Sequence, residues 1–108
     1  MGRAAHLDRT FRALADGTRR AMIHELADGK PRSAGELGRR FDSAQPTISR
    51  HLKVLESAKL IERTVEGRLH LFRLRQKPLQ DAGDWIARQR AFWTGALEQL
   101  DQLLKEER

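Results

Sequence analysis

The spacing of apolar residues changes abruptly near the middle of this chain, and the change restricts the folds that the chain can adopt. Ile48, Leu52 and Leu55 follow one another at helical intervals and project within about 60° of one another on an α-helix. Residues 61–75 instead alternate between apolar and polar side chains, as strands do, and Gly67 lies where a hairpin turn would fall. A helix followed directly by a β-hairpin is therefore predicted.

Shorter helical segments precede this pair, and a longer one follows it. Apolar periodicity predicts helices at residues 7–14, 17–27 and 34–40, and a last helix from about residue 81 to residue 105. Asp16 and the Ser33-to-Glu36 spacing supply N-terminal caps for the second and third of these helices. The order α-α-α-α-β-β-α describes a mainly α-helical fold with a small β-hairpin, the winged helix-turn-helix. The 108 residues suffice for a single domain of this kind, residues 1–108, and not for two.

The helix over residues 44–57 has the position of a recognition helix, because only a few residues separate it from the helix before it. Pro46 falls in its first turn, where a missing N–H costs nothing, and Ser43 is the expected N-cap. Opposite the apolar stripe lie side chains that can pair with base edges or phosphates, although a solvated polar face is the alternative interpretation. The candidate DNA-binding residues here are Ser43, Gln45, Pro46, Thr47, Ser49, Arg50, His51 and Lys53.

The hairpin would form the wing of this fold, over about residues 61–75 of a DNA-binding body that spans residues 7–77. Within the wing, residues 63–73 are expected to approach DNA. Arg68 stands at the turn, where its side chain would reach a minor groove or the flanking backbone. Arg63 lies on the first strand and is the second candidate DNA-binding residue of the wing, where it would contact a phosphate or nothing at all.

Charge divides the chain into a basic body and a slightly acidic tail. Residues 1–77 hold 17 Lys and Arg against 9 Asp and Glu, a balance of +8, whereas residues 78–108 hold 4 against 6, a balance of −2. A basic body is typical of a polyanionic partner such as double-stranded DNA and leaves the tail a different role, although by charge alone a solvated basic surface is an equal alternative. The sequence contains no phosphate loop, no Cys nucleophile and no Ser-centred elbow, so an enzyme is not predicted.

Metal sites, cofactors and membrane spans are not predicted either. The chain has no cysteine and no apolar run long enough to cross a bilayer, and its first residues lack the apolar segment of a signal peptide. A cytoplasmic protein is therefore expected. The four histidines, His6, His24, His51 and His70, are spread over different predicted elements, whereas a metal site needs ligands at a defined spacing.

Three stretches resemble the ArsR-type winged-helix transcriptional regulators, and the resemblance covers almost the whole chain. They read LADGTRRAMIHEL, AQPTISRHLKVLESAKLIE and EGRLHLFRL. Residues 45–55 are the most specific part and match the family's recognition helix, while the tail from Trp85 to Leu104 resembles the branch without a known metal site. The resemblance implies a homodimer that binds an inverted-repeat operator, usually as a repressor. It does not identify a small-molecule effector.

Three positions depart from the pattern of these regulators. Ala44 stands where Ser is common, which transfers the capping role to Ser43, and Gly17 stands where Pro is common. Lys59 replaces a common Gly just after the recognition helix, at a place that favours a positive φ. We therefore predict that Lys59 is left-handed or that this turn is rearranged.

The last helix, over residues 79–105, carries an apolar stripe wider than the small body can cover. Such a surface on a monomer would promote aggregation, so a partner helix is expected, although packing of the whole stripe on its own body is the alternative. Together with the first helix it would form a two-fold interface and place two recognition helices about 34 Å apart, one turn of DNA. The candidate dimer-interface residues are Leu7, Phe11, Leu14, Trp85, Ile86, Trp93, Leu97, Leu100 and Leu104.

The alternative function for a chain of this kind is a winged-helix module that binds a protein or RNA without operator specificity. Two properties would distinguish DNA binding from that alternative. Affinity should fall steeply as salt rises, and a short palindrome should be retained in preference to random DNA.

Overall fold

The computed structural model describes residues 3–106, in which five helices and three strands follow one another. The elements are α1 (Arg3–Ala13), α2 (Gly17–Glu25), β1 (Arg32–Ser33), α3 (Ala34–Phe41), α4 (Gln45–Ser57), β2 (Ile61–Glu66), β3 (Leu69–Leu74) and α5 (Gln76–Glu106). Helices α3 and α4 form the helix-turn-helix, and β2 and β3 form the wing. The predicted fold class, mainly helical with a small β-hairpin, is confirmed.

Strand β1 is an element that the sequence pattern did not predict. It pairs antiparallel with β3, which gives the sheet order β1-β3-β2 and places Arg32 opposite Phe72. Arg32 holds this strand in place, because its guanidinium donates to both carboxylate oxygens of Asp28, at 2.8 and 3.1 Å, and to the carbonyl oxygen of Glu25. The hydrogen bonds from Arg32, together with one from the backbone N–H of Lys30, lower the pKa of Asp28 to about 2. The base of the wing is therefore linked to the end of α2.

The core lies between α2, α3, α4 and the first residue of β2. Its largest fully buried apolar side chains are Met22, Leu26, Leu37, Ile48, Leu52, Leu55, Leu60 and Ile61. The apolar stripe predicted for α4 is thus buried as expected, and each of its side chains contributes about 1.5–3 kcal/mol to stability. This burial fixes the rotation of α4 about its own axis and so decides which residues it presents to solvent.

The start of α4 differs from the prediction, because Ser43 is not the N-cap of the helix. Asp42 adopts a left-handed conformation with φ 47°, which ends α3 and leaves Ser43 one residue before the cap position. The hydroxyl of Ser43 donates back to the carbonyl oxygen of Phe41 at 3.1 Å. Ala44 is the N-cap and offers no side-chain acceptor, while Pro46 in the first turn removes one N–H that would lack a partner.

The end of α4 has the left-handed residue that the sequence predicts. Lys59 has φ 61°, and the next amide, that of Leu60, donates to the carbonyl oxygen of Leu55 at 3.0 Å. This bond closes the helix in the manner of a glycine-terminated end, although a side chain with a β-carbon occupies the position.

Lys59→Gly is expected to raise the free energy of unfolding by about 0.5–1 kcal/mol. A left-handed conformation costs a residue with a β-carbon about 1–2 kcal/mol, and the greater freedom of glycine in the unfolded chain offsets about half of that gain. Chemical denaturation measures the change. Lys53→Gly, in the interior of α4, is the control and should lower stability by about 1 kcal/mol. Equal losses in the two variants would contradict the assignment of strain to Lys59.

Helix α5 begins at Gln76, earlier than the predicted start near residue 81, and Pro78 lies in its first turn. Since proline suits that position, Pro78 opens the helix as well as ending the wing. The first turns of α5 pack against α1, where His6 Nε2 lies 4.0 Å from Asp81 Oδ2. With 31 residues α5 is about 46 Å long, and the molecule measures 71 × 31 × 22 Å. None of the helices within residues 3–106 is both long and apolar enough to cross a membrane.

Candidate nucleic-acid interface

Helix α4 has a buried face and a polar face. Ile48, Leu52 and Leu55 hold the buried face against the core. The exposed residues of the polar face are Gln45, Pro46, Ser49, Arg50 and Lys53. Thr47 is half-buried at the flank, and Ser43 is half-buried in the turn before the helix. Most of the predicted contact residues of α4 are therefore brought together on one accessible surface.

The side chain of Gln45 lies across α3, close to the backbone of Gly38. A β-carbon added at Gly38 would lie 2.5 Å from Gln45 Nε2, closer than van der Waals contact allows, and 3.8 Å from Cγ1 of Ile48. The absence of a side chain at Gly38 is thus what lets the Gln45 amide take this position. Glutamine can pair bidentately with adenine, so we predict that the place of its amide influences base recognition.

Gly38→Ala is expected to displace the Gln45 amide and to change the preferred base at one position of each half-site. The fold should tolerate the change, because Nε2 is the free end of a flexible side chain and alanine favours helix. Selection of bound sequences from random DNA measures the preference. Gly35→Ala is the control, since a β-carbon there meets only ordinary contacts at 3.7 and 3.8 Å. Identical preferences in both variants and the parent protein would refute a role for Gly38.

His51 lies on the inner flank of α4, against the turn between α1 and α2. Its Nδ1 is 3.4 Å from Arg19 Nη1 and 3.9 Å from Asp16 Oδ2. Asp16 also caps α2, and the hydrogen bond from the backbone N–H of Arg19, at 3.0 Å, is the main cause of its lowered pKa. The Arg19 guanidinium further donates to the carbonyl oxygens of Ala13 and Arg12. The structure therefore places His51 in a network that holds α4 to the body.

Arg63 is engaged with α4 in a similar way. Its Nη2 and Nε donate to the two carboxylate oxygens of Glu56, at 2.9 and 3.2 Å. The guanidinium also lies over the ring of Phe72, 5.1 Å from its centroid, and 3.2 Å from Nδ1 of His70. A bidentate ion pair of this kind fixes the wing relative to the end of α4. These partners could not be predicted from sequence spacing, because Glu56 and Arg63 belong to different elements.

Arg68, at the tip of the wing, has a different environment. It is exposed and follows Gly67, whose φ of 62° makes the tight turn. Within residues 3–106 its side chain has no hydrogen-bond or ion-pair partner. Arg68 is therefore available to a ligand, whereas Arg63 already has a carboxylate partner in the protein.

The predicted dimer-interface residues fall into two groups. Leu7 is buried within the chain, Leu14 packs against the core, and the ring of Phe11 meets that of Trp85 edge-on at 5.6 Å. The second group is exposed on one side of α5, and each member has between 48% and 62% of its surface accessible. This group, which we name the α5 stripe, consists of Ile86, Trp93, Leu97, Leu100 and Leu104.

Several known proteins are similar to this chain in sequence. A sequence model of the helix-turn-helix domain matches residues 14–64. The chain is 40% identical over 100 residues to the HTH-type transcriptional regulator Rv2034 of Mycobacterium tuberculosis, covering 93% of this chain and 90% of that protein. It is 31% identical over 80 residues to the transcriptional repressor SdpR of Bacillus subtilis, covering 74% of this chain and 88% of that protein.

Solved structures of transcriptional regulators also resemble this chain. The ArsR-like transcriptional regulator from Rhodococcus sp. RHA1 is 30% identical, with a TM-score of 0.81 and coverage of 95% of this chain and 96% of that one. The chain belongs to the ArsR family. The homodimeric winged helix-turn-helix DNA-binding domain of Mb0332 from Mycobacterium bovis, a possible ArsR-family regulator, is 26% identical, with a TM-score of 0.62 and coverage of 88% and 81%.

Membership of the ArsR family makes this chain a DNA-binding transcriptional regulator. The proteins that it resembles are regulators and not enzymes. Within residues 3–106, no group of three or more His, Cys, Asp or Glu side chains is placed to hold a metal ion. That this ArsR-family regulator acts without a metal or cofactor stays a prediction.

Proposed function

We propose that this regulator is a homodimeric repressor that binds an inverted-repeat operator through α4 and the wing. The accessible polar face of α4 is the observation that carries the proposal, because buried leucine and isoleucine side chains hold the opposite face and leave this one to enter a major groove. The name of SdpR, a transcriptional repressor, supports the assignment as a repressor. The homodimeric domain of Mb0332 supports the assembly.

The residues of the interface divide by chemistry. Gln45 and Ser49, in the N-terminal half of α4, suit base edges, and Arg50 and Lys53 suit phosphates or guanine. Arg68 extends the interface from the tip of the wing to the minor groove or its flanking backbone. Ser43, Pro46 and Thr47 line the N-terminal end of the helix, where the backbone of α4 approaches the DNA.

His51 and Arg63 belong to this interface in a different capacity. His51 contacts Arg19 and Asp16, and Arg63 contacts Glu56, so both side chains already have partners in the protein. We assign them a positioning role: His51 fixes α4 against the body, and Arg63 fixes the wing against α4. Replacing either side chain should weaken binding to all DNA sequences by a similar factor and should change the sequence preference little.

The α5 stripe supports the homodimer. Five large apolar side chains lie exposed on one side of α5, where burial against a second copy would remove them from water. Their spacings of 7, 4, 3 and 4 residues are those of a helix that packs along another helix. Pairing two chains through α5 and the Phe11 side of α1 would set the two recognition helices about 34 Å apart.

Selection of bound sequences from random double-stranded DNA tests the proposal. We expect the selected sequences to share a palindrome whose half-sites lie one helical turn apart, and we expect the same palindrome to occur in promoters. With contacts from Arg50, Lys53 and Arg68 in each of two protomers, affinity should fall by about a thousandfold between 50 and 200 mM salt. Enrichment of no palindrome, or equal affinity for random DNA and for RNA, would instead favour a general interaction module.

A further inference from the structure

A basic cleft lies beside the recognition helix, between α1 and the C-terminal half of α4. It has a volume of about 370 Å³. We name it the α1–α4 cleft; its lining residues are Arg9, Arg12, Ala13, Arg50, Lys53, Val54, Ser57 and Ala58. Four of these eight side chains are cationic and none is acidic, so the charge around the cleft favours an anion. Arg9 and Arg12 were not among the residues that the sequence pattern assigned to DNA.

Three of the four cations at the rim, Arg12, Arg50 and Lys53, are available to a ligand. Within the described residues, the side chains of Arg12, Arg50 and Lys53 have no carboxylate partner, in contrast to Arg32, Arg40 and Arg63, which are paired with acids. Between the cations lie the buried short side chains of Ala13 and Ala58 and the partly exposed side chain of Val54. The long arginine and lysine stems can lie on these apolar side chains while their charged ends project.

The position of the cleft relative to the proposed dimer identifies the anion. At 100° per residue, Arg9 and Arg12 project roughly 100–160° away from Phe11, whose ring packs against Trp85 of α5, so the cleft stays open when α5 faces a partner. The cleft lies on the α1 side of α4, and α1 belongs to the proposed two-fold interface. It therefore lies between the recognition helix and the two-fold axis.

We propose that the α1–α4 cleft binds backbone phosphates at the centre of the operator, between the two half-sites. The proposal rests on the homodimeric operator binding proposed above. When two recognition helices occupy successive major grooves on one face of DNA, the minor groove between them faces the protein with its two phosphate strands. Arg12 of each protomer contacts phosphates on these strands. Arg50 and Lys53 lie in both the cleft and the polar face of α4, so they link the contacts of the cleft to those of α4.

Arg12→Gln tests the proposal, with Arg88→Gln as the matched control on α5. The backbone of Arg12, not its side chain, accepts the hydrogen bond from Arg19, so the fold should be kept. Arg88 is exposed and lies opposite the α5 stripe, and its replacement removes the same charge. On the selected palindrome we expect a loss of about tenfold for Arg12→Gln, with a salt dependence shallower by roughly two ions, one for each protomer. Arg12→Lys should restore most of the affinity.

Operator DNA with neutral methylphosphonate linkages completes a thermodynamic cycle with the Arg12→Gln variant, because it removes the phosphate charge instead of the protein charge. With the central linkages neutral, the parent protein should lose a similar factor, and Arg12→Gln should then cause less than a twofold further loss. With only the outermost linkages neutral, Arg12→Gln should still cause its full loss. This coupling would not arise if Arg12 acted only on the stability of α1.

Several results would overturn the proposal. They are an Arg12→Gln loss no larger than that of Arg88→Gln, an equal loss on native and centre-neutral DNA, and coupling to the outer linkages. If the parent protein binds its palindrome in these experiments, only the role of the cleft fails. If the parent protein selects no palindrome, the proposed function fails and the role of the cleft fails with it.

Discussion

Trp93→Asp combined with Leu97→Asp is expected to convert the proposed dimer into a folded monomer that binds the proposed operator at least a hundredfold more weakly. Both side chains lie in the α5 stripe and are more than half exposed in the single chain, so their replacement removes little from the core. In a dimer, however, four carboxylates would be forced into an apolar interface, where unpaired charges are strongly disfavoured. A monomer would engage one half-site at a time and lose the advantage of two linked contacts.

Sedimentation and an operator titration measure the two effects separately. Gln99→Asp with Gln102→Asp is the matched control, because it adds the same charge to α5 but on the side away from the stripe. The control should remain dimeric and retain its operator affinity within a few-fold. A double variant of Trp93 and Leu97 that still sediments as a dimer would show that the interface lies elsewhere.

The sequence predicted the elements whose signals are local. Helix α4 and the wing follow from apolar periodicity, the Ser33 capping box from its S-x-x-E spacing, and the left-handed Lys59 from its place after the helix. Each of these signals depends on residues within a turn or two of one another, where backbone sterics and hydrogen bonding dominate. Local signals are therefore enough to predict helix α4 and the face that it buries.

The features that the sequence did not predict depend on contacts between distant segments. Strand β1 is two residues long and has no period of its own; it forms because β3 offers a pairing edge and Arg32 reaches Asp28. Ser43 failed as a cap because the left-handed turn at Asp42 moved it out of the cap position. The partners of His51 lie more than thirty residues earlier in the chain. Candidate contact residues can be selected by residue type, but tertiary packing decides which of them are free.

The second large effect is expected on α4 itself, where neighbouring residues should separate function from stability. Ser49→Ala with Arg50→Ala removes exposed side chains from the polar face, so the free energy of unfolding should change by no more than about 0.5 kcal/mol. Operator affinity should nevertheless fall by about a hundredfold, since a good base contact is worth about 1–3 kcal/mol, and the variant loses the base contact of Ser49 and the guanine or phosphate contact of Arg50 in each of two half-sites. Non-specific DNA, bound mainly through phosphates, should lose less affinity than the operator does.

Leu52→Ala is the converse change on the same helix. Leu52 lies within one turn of Ser49 and Arg50 along α4 but is buried in the core, so its truncation should cost about 2–5 kcal/mol of stability. The fraction of protein that remains folded should still prefer the operator to random DNA, because the polar face is unchanged. Denaturation and operator titration of both variants give the four values needed. An operator preference that survives Ser49→Ala with Arg50→Ala would remove these residues from the reading surface, and base recognition would then have to come from Gln45 and Thr47 at the N-terminal end of α4.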